Sequence, residues 1–322
     1  MEPEKEQGYR PINIEFLGYS EVDNFDIYYK SEGYGETRFV KFASKDPAHR
    51  AKVRQLLESD ELMEDLYIHE DDMVRYFENA TNTLRSFVDD PKISVEKKLA
   101  KVYDVSKDIT QQFFEVNANP EILRVSGQVV ELMDNCLGQK GFGFYGLSKI
   151  VSKDYYTYTH SINVGLYCMT FGLKVGLLPA EVQELGLGGM LHDVGKAKIP
   201  HKIIRKDGKL TTEEFENMKT HTKLGEDIIR ELGCYGTKVI EMVGQHHEKF
   251  NGGGYHQGLE KDDIPYFAKI CKITDVYDAL TTRRSYKKAL PPITALTLMK
   301  KEMFEEFDPK LLLMFISMMG PE

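Results

Sequence analysis

Seven of the nine histidines in this chain fall between His160 and His256, and only His49 and His69 lie outside that stretch. An imidazole on an apolar helix must be hydrogen-bonded or metal-bound, because burying it unpaired is costly. The central instance is Leu191-His192-Asp193-Val194-Gly195-Lys196, at the C-terminal end of an apolar helical stretch. A lone His-Asp pair would ordinarily be a satisfied helix end. Here His160, His221, the pair His246-His247 and Asp275 each sit in a further helical segment bounded by apolar residues. Five imidazoles and two carboxylates without thiolate suit iron, manganese, zinc or nickel rather than calcium or a structural zinc finger. Seven donors exceed what one ion takes while keeping a position open. The set therefore predicts two ions sharing one carboxylate, an arrangement able to clamp both oxygens of an in-line phosphoryl displacement.

Charge divides the chain. From residue 145 onward there are 24 basic and 23 acidic side chains, a net of +1, which leaves 18 and 28 before it, a net of −10. An overall net charge of −9 excludes a bulk coat for DNA or RNA. The domain holding the histidines is nearly neutral and free to take a small anion. Cys136, Cys168, Cys234 and Cys271 form no C-x-x-C pair, which argues against a disulfide framework or a thiolate zinc site. The opening Met-Glu-Pro-Glu-Lys-Glu-Gln lacks the zones of a signal peptide, and Leu311 to Met319 is about half a bilayer span. The expectation is a cytoplasmic protein without membrane insertion.

Periodicity predicts a small α+β segment over 1–90. Strands are expected at Ile12 to Leu17, Phe25 to Tyr29, Thr37 to Phe42 and Leu66 to Ile68, with helices at Pro47 to Leu57 and Glu70 to Ala80. Residues 91–144 read as a helical linker. Residues 145–322 read as an all-α domain, with helices at Ser161 to Val175, Pro179 to Asp193, Thr212 to Leu232, Lys238 to Gln245, Ile264 to Leu280, Pro292 to Phe307 and Pro309 to Met319. The fold class is thus multidomain, a small α+β domain followed by an all-α one.

Five further blocks accompany His192-Asp193-Val194-Gly195-Lys196-Ala197-Lys198-Ile199-Pro200. They are Asp154 to Ser161, His246-His247-Glu248, Asn251-Gly252-Gly253-Gly254-Tyr255, Thr274 to Thr281 and Phe307-Asp308-Pro309. In this order they resemble the HD-GYP family of cyclic di-GMP phosphodiesterases over roughly residues 145–320. The front segment is similar to an accessory domain often found ahead of such domains. The resemblance implies that His160, His192, Asp193 and Asp275 hold one metal. It implies that His221, His246 and His247 hold the second, with Asp193 bridging. It assigns catalytic roles to Asp193 and Lys196 and substrate contact to Lys196, Tyr255, Arg284 and Lys287. The cofactors implied are two divalent ions, iron first, with manganese, nickel or zinc as alternatives. Tyr156 stands where some members place a glutamate that supports a third metal, which argues for two here.

Several positions depart from the family pattern. His256 replaces the proline of the name-giving loop, which removes a fixed φ, leaves the loop freer and adds a further imidazole. Asn251 replaces an aspartate while keeping turn-forming ability, Arg283 and Ser285 replace an aspartate and a proline, and Asp207 replaces a proline. None touches an implied ligand. The implied function is hydrolysis of cyclic di-GMP to linear pGpG, and on to GMP in some members, by attack of a metal-bridging hydroxide. The alternatives are an inactive cyclic-dinucleotide-binding signalling protein and a hydrolase of another nucleotide. A protein partner on the acidic front segment and a homodimer stay open.

Overall fold

The computed structural model describes residues 8–13, 25–33, 36–44, 66–115, 120–139, 144–151, 157–206, 208–233, 235–283 and 288–319. The chain separates into two compact units, Met1–Ile93 and Ser94–Glu322. In the first, β1 (Tyr9–Ile12), β2 (Ile27–Gly33), β3 (Glu36–Ala43) and β4 (Leu66–His69) form an antiparallel sheet of order β1-β4-β2-β3. Its register pairs Tyr9 with His69, Lys30 with Phe39 and Tyr28 with Tyr67. The following helix α1 (Met73–Asp89) buries Met73, Tyr76, Phe77, Ala80, Leu84 and Val88, the stripe expected of a helix with one face on a core. Tyr76 meets Phe25 edge to face, and its hydroxyl donates to the Asn13 carbonyl.

The structure shifts some expected bounds. β1 ends at Ile12, so the later part of the expected Ile12 to Leu17 strand lies outside the described residues, as does the Pro47 to Leu57 helix. The helical run expected from Glu70 opens as a short 3-10 turn over Glu70–Asp72 and lengthens to Asp89.

The second unit is built from α2 (Val95–Glu115), α3 (Pro120–Leu137), α4 (Phe144–Ile150), α5 (Thr157–Val175), α6 (Pro179–Leu191), α7 (His201–Ile204), α8 (Thr212–Lys219), α9 (His221–Leu232), α10 (Thr237–Gln245), α11 (Tyr266–Thr281), α12 (Pro292–Glu302) and α13 (Pro309–Met319). No strand occurs among its described residues. The helices expected as a linker are part of this unit: α2 packs on α3 and α5, and α3 on α6. Their buried faces, including Leu99, Val102, Ile109, Leu123, Val129 and Met133, explain why they do not stand apart as a spacer.

Helix α5 is buried on nearly every side from Thr159 to Met169 and forms the centre of the bundle. It meets α6 backbone to backbone, since a Cβ on Gly189 would lie 2.8 Å from the Gly165 Cα. The single helix expected over Thr212 to Leu232 is broken at Thr220. There the Thr220 hydroxyl donates to the Asn217 carbonyl at 2.7 Å and the Thr222 hydroxyl to Lys219 at 3.1 Å. Side chains that take the last carbonyls of a helix in this way favour its termination. The break places His221 at the first turn of α9.

Candidate metal centre

Each of the seven implied ligands sits at or near the end of a helix or on α11. His160 lies in the first turns of α5. His192 and Asp193 follow α6, His221 opens α9, His246 and His247 follow α10, and Asp275 lies on α11. The close approach of glycines draws these ends together. A Cβ on Gly195 would fall 1.9 Å from the His221 carbonyl oxygen and 2.5 Å from the Gly225 nitrogen. Only glycine lets the turn after Asp193 abut α9 so tightly.

The result is two clusters of donors, each with its donor atoms within 4.8 Å of one another. One contains His160, His192 and Asp275, and the other Asp193, His221, His246 and His247. Asp193 touches both: Oδ2 lies 3.3 Å from His192 Nε2 and 3.8 Å from His160 Nε2, and Oδ1 lies 3.4 Å from His221 Nε2. His160 Nε2 stands 3.2 Å from Asp275 Oδ1. Lys196 donates to Asp193 Oδ2 at 2.5 Å.

The ring tautomers follow from the partners. A carbonyl oxygen can only accept, so the Nδ1 atoms of His192, His221 and His246 must each carry the proton donated to Gly189, Met218 and Val243 (2.7, 2.7 and 2.9 Å). Their Nε2 lone pairs therefore face the cluster. His221 Nε2 and His246 Nε2 lie 3.4 Å apart. Between two neutral imidazoles of this tautomer no hydrogen is available, so the pair is repulsive unless a cation lies between them. His192 Nε2 and Asp193 Oδ1 are buried without a hydrogen-bond partner. Buried polar atoms are otherwise nearly always satisfied. Bare nitrogens and a carboxylate converging in this way fit divalent transition-metal ions, with backbone carbonyls fixing the rings from behind.

Burial sets the proton affinities here. It depresses His221 to about 4 and pushes His246 and His247 well below the usual imidazole range, keeping all three neutral. Burial opposes ionisation of Asp193, but the Lys196 ammonium beside it outweighs this and holds the carboxyl well below its ordinary range. Asp275 behaves likewise: burial opposes its ionisation, and the hydrogen bond and charge of His160 overcome it. The ionised carboxylates and the three neutral imidazoles are in the protonation states a metal requires.

Tyr255 stacks on His247 with centroids 4.8 Å apart and an interplanar angle of 27°, and burial raises its phenol far above the ordinary value. Its loop is anchored by Glu248, whose Oε1 accepts from the backbone N–H of Gln257 (2.7 Å) and Gly258 (3.0 Å) while Oε2 accepts from Leu259 (3.1 Å). Asn251 keeps its turn, its Oδ1 accepting from Gly253 N–H at 3.1 Å. His256, expected to loosen the loop, instead donates from Nδ1 to the Gly244 carbonyl at 2.9 Å, with Nε2 3.5 Å from Glu226 Oε2. A hydrogen bond thus ties the loop where a proline ring would have stiffened it, and His256 joins neither donor cluster. Tyr156, Asp207, Arg284, Ser285 and Lys287 lie outside the described residues.

Four residues of this neighbourhood had no role in the sequence reading. Asp278, Asn163 and Tyr103 line up behind His160, and Glu248 holds the Tyr255 loop. Asp278 and Asn163 each follow an implied ligand by three residues on the same helix, a spacing that puts them on one face and could have marked them. Tyr103 offers no such signal.

Comparison with known proteins bears on the same region. Residues 145–311 match the family described as HD domain. The chain is 34% identical over 174 residues to "Cyclic di-GMP phosphodiesterase PA4108" of Pseudomonas aeruginosa, spanning 54% of this chain and 42% of that protein. It is 31% identical over 219 residues to "3'3'-cGAMP-specific phosphodiesterase 2" of Vibrio cholerae, spanning 67% of this chain and 39% of that protein. It is 35% identical over 138 residues to "Cyclic di-GMP phosphodiesterase response regulator RpfG" of Xanthomonas campestris, spanning 42% and 36%. The chain thus spans less than half the length of these curated relatives. Among solved structures, Bd1817, an HDG"Y"P protein from Bdellovibrio bacteriovorus, superposes with a TM-score of 0.68 over 97% of this chain and 99% of that one. At 18% identity that likeness is one of fold.

Proposed function

Because the chain belongs to the HD domain family, we propose that it is a metal-dependent phosphodiesterase that opens cyclic di-GMP to linear pGpG. The observation that carries this reading is the pair of bare nitrogens, His221 Nε2 and His246 Nε2, facing each other at 3.4 Å beside the Asp193 carboxylate, whose other oxygen lies 3.3 Å from His192 Nε2. The names of the relatives, cyclic di-GMP phosphodiesterases and 3'3'-cGAMP-specific phosphodiesterases, give the substrate class.

In this proposal His160, His192, Asp193 and Asp275 hold one divalent ion and Asp193, His221, His246 and His247 the other, iron being the first choice. Bound there, such a pair supplies Lewis acidity and an activated water. The chain does the rest. Asp193 orients Lys196, whose ammonium offers a point charge to a non-bridging phosphate oxygen. Tyr255, kept protonated by burial, flanks His247 and offers a hydroxyl to the substrate. Arg284 and Lys287 carry the charges proposed for the dinucleotide's phosphates, Arg284 through a planar fork. The helices α2 and α3 belong with the catalytic segment. Residues 1–90 serve as an accessory segment whose acidic surface docks a protein partner, and the protein works in the cytoplasm.

A second reading, cleavage of 3'3'-cGAMP, shares every residue named and is favoured by the Vibrio relatives. The test is elemental analysis of anaerobically purified protein with chromatography of products from both dinucleotides. Two ions per chain and pGpG formation are expected. Absence of turnover with iron, manganese, nickel and zinc would leave the binding-protein alternative instead.

A further inference from the structure

Behind His160 runs a chain of buried hydrogen bonds that leaves the matched HD region altogether. His160 Nδ1 donates to Asp278 Oδ2 at 2.7 Å, Asn163 Nδ2 donates to Asp278 Oδ1 at 2.9 Å, and the Tyr103 hydroxyl donates to Asn163 Oδ1 at 2.8 Å. Every direction is forced. A carboxylate only accepts, so it takes the ring N–H and the amide N–H; the amide oxygen then faces the tyrosine, whose single proton is committed to it. Asp278, Asn163 and Tyr103 are buried at 1%, 0% and 4% exposure, so water does not replace these bonds. His160 Nε2 faces Asp275 Oδ1 at 3.2 Å and Asp193 Oδ2 at 3.8 Å.

We propose that Tyr103, on α2 and outside residues 145–311, is a positioning residue for His160, so that docking of α2 and loading of the His160–His192–Asp275 cluster are thermodynamically coupled. The inference rests on the metal-centre reading above. Asp278 alone would hold the ring's Nδ1 proton, but a carboxylate on a single χ2 axis can rotate. Asn163 fixes its plane, and Tyr103 fixes the amide that does so. The bonds from Tyr103 to Asn163 and from Asn163 to Asp278 run in one direction and polarise each other, so loss of the tyrosine hydroxyl loosens the hold on the carboxylate plane that His160 faces. α2 packs directly on α5, which carries both His160 and Asn163. Coupling is reciprocal: whatever shifts α2 alters ion affinity at this cluster, and an ion there steadies α2.

The substitution Tyr103→Phe removes one hydroxyl and keeps the ring. Cobalt(II) is the probe, titrated into metal-free full-length protein by calorimetry and followed through its d–d absorption. Wild-type protein should take up two ions. In Tyr103→Phe one of the two should bind about 10-fold more weakly, within the range seen when groups behind a ligating histidine are removed, with an altered d–d band. The second ion should bind as before. Amide exchange around residue 103 should slow on cobalt binding in wild type and not in the variant. If Tyr103→Phe lowers only the melting temperature of the metal-free protein and binds both ions with wild-type affinity, the role is packing and the proposal fails. An equal loss at both ions would refute it as well. Wild-type protein that binds no cobalt would overturn the metal-centre reading itself, a distinguishable result.

Discussion

Replacing Glu248 with glutamine should free the Tyr255 loop while leaving the bundle intact. The carboxylate accepts three backbone N–H groups, two on Oε1 and one on Oε2, at 2.7, 3.0 and 3.1 Å, and the residue is buried. Glutamine keeps one oxygen for Gln257 and Gly258 but turns an amide N–H toward that of Leu259. One bond is lost, at about 1 kcal/mol, and two lose their charge assistance, at about 0.5 kcal/mol each. The total, about 2 kcal/mol, corresponds to about 30-fold faster opening of the loop. Glu248→Ala, which strands all three donors, should cost about 4 kcal/mol. Hydrogen exchange reads this directly: the amides of residues 257–259 should exchange about 30-fold faster in Glu248→Gln, with α5 and α6 unchanged. Under the proposed function, KM should rise more than kcat falls, because Tyr255 rides on this loop. Unchanged exchange at 257–259, or acceleration spread evenly through α5 and α6, would refute the loop-anchor reasoning.

Other perturbations test the centre itself. His221, depressed to about 4, and His246 and His247, also depressed, are neutral when folded and protonate in the unfolded chain below its ordinary 6.5. Their stabilisation is therefore complete above pH 6.5 and is lost as pH falls toward 4. With all three contributing, metal-free protein should lose about 4 kcal/mol per pH unit near pH 5, measured by urea unfolding across pH. A flat profile would contradict their burial as neutral groups. Gly195→Ala forces a Cβ against the His221 carbonyl and should cost about 3 kcal/mol or more, seen as a lowered melting temperature together with loss of an ion. Asp193→Asn removes the carboxylate proposed to bridge the two ions, and ion content by elemental analysis should fall from two per chain to one or fewer; retention of two would deny Asp193 its bridging place.

The convergence of His160, His192, Asp193, His221, His246, His247 and Asp275 was legible because each lies in a segment of strong helical period, and ordered motifs linked the segments. The bend at Thr220 was not, since it depends on hydroxyls choosing carbonyls over water, a local competition that apolar spacing does not register. The packing partners of α2 and α3 were not legible for a related reason: amphipathic helices show that they have a partner but not which one. Tyr103 is the extreme case. It lies 60 residues from Asn163, and only the packing of α2 on α5 brings the two within bonding distance.

The rings of His192 and His246 hang from carbonyls in the last turn of the helix each follows, and that of His221 from the Met218 carbonyl at the end of α8. Their alignment is thus settled when the chain folds, before any ion arrives. A cage of this kind has little freedom to widen or shrink. Loading an ion should therefore demand little further ordering of the chain, since the lone pairs are aimed at the cluster before it binds.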